Sequence, residues 1–232
     1  MSLWQRLRSL DGRVLLCAGL LLAFGLVMLL SATAAISAQH GAGPFAYVRR
    51  QVLVGVLPGL ALFALFGFTD YRRWRDWAGF AFVLSIAALL LVYIPGIGQV
   101  RGGSRSWVGF GPFTFQPSEL VKLTFLIYVS AWLAGRKGSD AHDLERGLLP
   151  FLAAVGAVML LLILQPDTGS MAVIVGTALV LYFVSGAPVS WFALLCALGA
   201  GVVGLLVRFS PYRAARFMTF LHPELDPMGK GY

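Results

Sequence analysis

Runs of about twenty apolar residues separated by short polar connections constrain this chain more than any other feature. The stretch from about Val14 to Ile36 carries no charged side chain, and further apolar stretches follow at about Val48 to Phe68, Ala78 to Ile97, Glu119 to Ala134, Gly147 to Leu164, Ser170 to Gly186 and Val189 to Val207. About twenty helical residues match the ~30 Å hydrocarbon core of a bilayer. The pattern therefore predicts an all-α, polytopic helical membrane protein with about seven spans. Composition agrees, since 232 residues with 59% hydrophobic side chains, 12% charged and a mean hydropathy of +0.82 are too apolar for a soluble domain and too long for one anchor. Cys17 and Cys196 both lie inside apolar runs, which gives no support to a disulfide framework or a metal site. In a soluble protein the net charge of +8 would point to nucleic acid. Here the arginines punctuate hydrophobic spans without forming a continuous basic stripe, which fits anionic lipid or an anionic substrate and not nucleic acid.

In chain order, a short tail with Arg6, Arg8 and Arg13 precedes the first span. Ala32-Thr33-Ala34 has the small-residue spacing of a signal-peptide cleavage site, but the apolar run exceeds a signal core, so an uncleaved span is expected. Arg49 and Arg50 start the second span at the interface, where such side chains snorkel. The segment from Asp70 to Trp77 mixes charge with interfacial aromatics and reads as a short cytoplasmic loop. Arg136 to Arg146 forms a mixed-charge loop, Gln165 to Gly169 breaks the helix near the far interface, Ala187-Pro188 make a tight turn, and Arg208 opens a polar tail. Seven spans place nine Lys and Arg residues on each side, so the positive-inside rule does not decide orientation. Over the first three spans six basic residues face four, which leans towards a cytoplasmic N-terminus.

The segment from Arg101 to Lys122, RGGSRSWVGFGPFTFQPSELVK, is the least membrane-like part of the chain. Its glycines, prolines and charges cannot be left in lipid, so it is expected at an interface or lining a cavity, as the mouth of a site. Its last part should open a helix, with Pro117 in the first turn, Ser118 as a cap and Glu119 near the positive end of the dipole. Glu119 and Lys122, three apart on one face, read either as an ion pair shielding two charges or as groups facing a wet cavity. Trp107 reads as a belt aromatic or, beside Arg105, as a wall for a sugar or lipid head. Asp167 is expected to cap the sixth helix. Arg208, Arg213 and Arg216 read either as headgroup contacts or as a pyrophosphate clamp. Asp226, before Pro227 and near Gly229, reads from the residues alone as turn chemistry.

Gly103 to Lys122 resembles the signature loop of the SEDS proteins (shape, elongation, division and sporulation), whose pattern is G-x-x-R-W-I-x-x-G-x-x-x-x-Q-P-S-E-hydrophobic-x-K. Two further stretches recur in order, QPDTG at Gln165 to Gly169 and TFLHPELDPMGKGY at Thr219 to Tyr232. Departures are small: Ser106 stands where Arg usually precedes the Trp, with Arg105 one place earlier, and His222 stands where Asp or Asn is commoner. The resemblance implies a glycosyltransferase that polymerises lipid II, a disaccharide-pentapeptide on undecaprenyl pyrophosphate, into peptidoglycan. It implies Asp226 as the catalytic residue and Glu224 as its decoy. Arg105, Trp107, Glu119, Lys122, Arg208, Arg213 and Arg216 become substrate-binding candidates, with or without a divalent metal. It also implies a single membrane domain over residues 1–232 with the N-terminus in the cytoplasm of a bacterial inner membrane, and a class B penicillin-binding transpeptidase as partner. Family members have about ten spans, so the chain is expected to stop inside the large extracytoplasmic loop and to be inactive by itself. The segments at Gly25 to Ala32, Gly111 to Glu119 and Ser210 to Arg216 resemble the division-type members more than the elongation-type. Two other functions stay open at this point, a flippase carrying the same lipid-linked sugar and a scaffold for the transpeptidase.

Overall fold

The computed structural model describes residues 11–39, 41, 43–101, 104–110, 113–136 and 142–221, and the chain divides into two units at Arg73/Trp74. The first unit holds helices α1 (Gly12–Gln39) and α2 (Ala46–Phe68), with a π-helical turn at Val52–Val56 ahead of Pro58. Their side chains are largely exposed, with Val14, Leu16, Leu21 and Phe24 each more than half accessible. Helices apolar on every face and uncovered by protein are at home only in hydrocarbon, where their backbone hydrogen bonds are satisfied internally.

Helix α3 (Tyr71–Leu91) leads into the second unit, which continues with strands β1 (Gly98–Arg101), β2 (Ser104–Phe110) and β3 (Phe113–Phe115). Helices α4 (Pro117–Ala134), α5 (Leu144–Leu164), α6 (Thr168–Val184), α7 (Val189–Phe209) and α8 (Pro211–Leu221) follow. Among the described residues five helices, α1, α2, α3, α5 and α7, are long and apolar enough to cross a membrane by length and composition. The other two expected spans are occupied by α4, which carries Glu119 and Lys122, and by the shorter apolar α6. The all-α membrane architecture therefore stands.

The core of the second unit lies along α4 and α6, where Val121, Phe125 and Val129 at four-residue spacing share a cluster with Ile174, Ala178 and Tyr182 at the same spacing. Four-residue ridges on both helices allow close approach, and Ala178 supplies the small side chain that helix contacts in membranes favour. Phe151 stacks on Tyr182 with ring centroids 4.4 Å apart, and Phe82 stacks on Tyr128 at 4.6 Å.

Some expectations need correction. The segment from Asp70 to Trp77 is not a loop, because Asp70 Oδ1 accepts from the Arg72 amide at 2.9 Å and α3 begins at Tyr71. The same helix stops at Leu91, short of Ile97, in turns that bring Gly96 to φ +84°. Most of the signature segment ahead of α4 belongs to a three-stranded antiparallel sheet in the order β1-β2-β3. Its register pairs Gln99 with Trp107 and Val100 with Arg105, which leaves Ser106 as a bulge. After Arg208 the chain is not a polar tail, since Pro211–Leu221 form α8.

Candidate functional site

The corner between α5 and α6 collects side chains from distant parts of its unit. The last carbonyls of a helix lack intrahelical partners, and here three near the α5 terminus accept from side chains. Tyr93 Oη donates to the Leu161 carbonyl at 3.0 Å, Arg213 Nη2 donates to that of Ile163 at 2.9 Å, and Ser104 Oγ donates to that of Gln165. The fully buried Gln165 side chain reaches back from Nε2 to the Leu89 carbonyl at 3.0 Å. Burial raises the Tyr93 phenol above its ordinary value, with the neighbouring Gln165 side chain opposing part of that rise, so the neutral donor persists at physiological pH.

Asp167 begins α6 as expected, with Oδ1 accepting from the Ser170 amide at 3.1 Å. Its other oxygen has a role that local reading missed: Oδ2 accepts from Gln116 Nε2 at 2.9 Å and from Ser118 Oγ at 2.7 Å. Ser118, fully buried, in turn accepts from Ser170 Oγ at 3.1 Å. Ser118 therefore does not cap α4; Gln116 occupies the N-cap position and makes no side-chain cap bond there. The two Gln-Pro motifs, far apart in sequence, are joined through one carboxylate.

Strand β2 alternates as a strand should. Ser104, Ser106 and Val108 are buried, while Arg105 and Trp107 occupy the more open face. Ser106 in the usual Arg position thus lies inward, where its hydroxyl shares a 3.1 Å hydrogen bond with that of Ser104, and the arginine one place earlier is carried on the same side as the Trp. Sequence reading missed Arg101, whose guanidinium lies 5.0 Å from the Trp107 ring centroid and donates to Gln99 Oε1 at 3.3 Å. The cross-strand pairing of Gln99 with Trp107 is what brings these groups together, and only recognition of the hairpin would have found it.

Lys122 Nζ lies 2.7 Å from Glu119 Oε1, the ion pair that three-residue spacing allows, with the carboxylate side more open than the ammonium. Between α3 and α4 runs an apolar cavity of about 320 Å³ lined by Ala81, Leu84, Ala88 and Leu120, whose one polar feature is the 2.7 Å hydrogen bond from Thr124 to Ser85. Arg208 is exposed in the last turn of α7, Arg213 is buried on the end of α5, and Arg216 falls within α8. Glu224 and Asp226 lie outside the described residues. Among the described residues no group of three or more His, Cys, Asp or Glu side chains is placed to hold a metal.

Residues 12–232 match the model of the FtsW, RodA and SpoVE family of cell cycle proteins. The chain belongs to this family. It is 38% identical over 214 residues to stage V sporulation protein E of Bacillus subtilis, covering 92% of this chain and 58% of that protein. It is 39% identical over 226 residues to a probable peptidoglycan glycosyltransferase FtsW of Allochromatium vinosum, covering 96% of this chain and 55% of that protein. Among solved structures it superposes on a chain from work on the structural coordination of polymerization and crosslinking by a peptidoglycan synthase complex. The TM-score there is 0.61 at 32% identity, with 89% of this chain and 61% of that one covered. It also superposes on the rod shape determining protein RodA of Thermus thermophilus with a TM-score of 0.55 at 32% identity, covering 75% of this chain and 58% of that one. The chain thus spans a little over half the length of the curated relatives it matches. As a multi-pass membrane protein of this family, it carries the two Gln-Pro motifs at the corner just described.

Proposed function

We propose that this chain forms part of a peptidoglycan glycosyltransferase that polymerises lipid II outside the cytoplasmic membrane. The observation that carries the reading is the convergence at one corner of the second unit: the Gln165–Gly169 and Gln116–Lys122 motifs joined by Asp167, with β2 tied in through Ser104. The probable glycosyltransferase function of the FtsW relatives supports it.

Polymerisation joins an acceptor sugar hydroxyl to the anomeric carbon of a donor, breaks the carbon–oxygen bond to pyrophosphate and releases a proton. Asp226 would accept that proton as general base, a role for which a carboxylate must come within hydrogen-bond reach of the hydroxyl. The departing pyrophosphate develops negative charge, which Arg208, Arg216, Arg105, Lys122 and the remaining donors of Arg213 would meet, guanidinium groups binding phosphate oxygens two at a time. Trp107 would offer a face for the sugar, beside Arg101. A divalent ion would supply further charge neutralisation at the pyrophosphate. The prenyl tail would lie among the apolar spans. In this reading Met1 is cytoplasmic, the sheet and α8 are extracytoplasmic, and the crosslinking partner is a class B penicillin-binding transpeptidase. The peptidoglycan synthase complex among the similar structures favours that partner.

The test is to purify the full-length protein with its transpeptidase, supply labelled lipid II, and follow both glycan chains and movement of the lipid across vesicles. Glycan chains of many units are expected. Lipid movement with no polymer at any partner ratio would replace the enzyme by a transporter.

A further inference from the structure

A helix cap needs one carboxylate oxygen, and Asp167 uses Oδ1 for that purpose on Ser170. Oδ2 would ordinarily be left to water, yet it takes two side-chain donors, Gln116 and Ser118, from 51 and 49 residues away. The hydroxyl order is fixed from Ser170 through Ser118 to this oxygen. On the other side, α4 begins without a side-chain cap of its own, and Pro117 removes one of its amide donors. What holds the start of α4 is therefore lateral, the Asp167 carboxylate. Strand β3 ends at Phe115, directly before Gln116, and Glu119 and Lys122 lie in the first two turns of α4, so neither can shift independently of this joint.

We propose that Asp167 is a positioning residue for glycan polymerisation: its Oδ2 fixes the start of α4, and with it the Glu119–Lys122 pair and the Arg105–Trp107 face of the sheet, against the end of α6. The inference rests on the reading of function above and goes beyond the capping role that the sequence predicts. Polymerisation brings two bulky lipid-linked sugars together, and small misplacements of positioning groups cost such reactions up to about a hundredfold.

The test uses the full-length protein. Asp167→Ser keeps a good N-cap for α6 but is too short to reach Gln116 and Ser118, whereas Asp167→Asn keeps both cap and reach, with the Gln116 amide and Ser118 hydroxyl free to exchange donor for acceptor. Asp167→Ser is expected to lower turnover at saturating lipid II by at least about tenfold while thermal unfolding stays near the parent, and Asp167→Asn to recover to within a few-fold. The pair Gln116→Leu with Ser118→Ala, which leaves the α6 cap untouched, should be as impaired as Asp167→Ser. Adding Asp167→Ser to that pair should cost nothing further, because all three changes break one joint. Amide hydrogen exchange over residues 113–123 gives a readout independent of activity: faster exchange in Asp167→Ser and parent-like exchange in Asp167→Asn. Faster exchange in a protein whose parent makes no polymer would count against the glycosyltransferase reading and for the joint. Parent-like turnover and exchange in Asp167→Ser, or losses in the triple variant that multiply, would overturn the positioning role.

Discussion

Tyr93 shows how a single residue serves the corner. Its phenol donates to the Leu161 carbonyl from the turn after α3, and burial raises its pKa above the ordinary value of 10.0. A folded-state value above the unfolded one means that this group's contribution is fully present below pH about 10 and is lost as pH rises through the folded value. Tyr93→Phe should therefore lower stability by about 1 kcal/mol at pH 7 and should flatten the decline of thermal stability at alkaline pH. Unfolding of parent and variant in the same micelles at a series of pH values checks both. Asp167 was half legible in the sequence: its cap depends on neighbours three residues away, whereas its bond to Ser118 depends on a fold that brings together positions 49 residues apart. The sequence offers Arg213 either to a lipid headgroup or to a pyrophosphate, and nothing local shows that one of its donors is used by the Ile163 carbonyl.

At the scale of elements, helices could be placed from apolar length alone, since the bilayer fixes how long they must be. The sheet could not. Five glycines and Pro112 break up residues 98–115, and the two-residue alternation of Ser104, Ser106 and Val108 is too short and too polar to stand out against them. Gly98 shows why β1 nonetheless fits here, because a Cβ at this position would overlap the Val92 carbonyl. Gly98→Ala should push β1 off the turn after α3 and cost about 2 kcal/mol in thermal unfolding, as overpacking does. In the helical layer, Phe125 is almost wholly buried and contacts Phe82 at 5.8 Å between ring centroids. Phe125→Ala should destabilise by about 3 kcal/mol, and a similar loss from the exposed Leu123→Ala would show that α4 does not pack through the face described.

For the whole molecule, the multi-pass architecture and the family both follow from features visible in the sequence, the apolar runs and three ordered motifs. Orientation does not, because basic residues divide equally between the two sides. With seven spans, Met1 should be cytoplasmic and Tyr232 extracytoplasmic. A reporter active only in the cytoplasm should stay dark when fused after Tyr232, and a bright signal would overturn the odd span count. The central claim, that the protein makes glycan chains by removing a proton from an acceptor hydroxyl, is tested most directly at Asp226. In the full-length protein, polymerisation of labelled lipid II should fall by at least about a hundredfold in Asp226→Asn, which keeps size and turn propensity but removes the basic oxygen. Glu224→Gln should do far less, with membrane insertion and partner binding preserved in both. Polymer formation at the parent rate in Asp226→Asn would contradict the account.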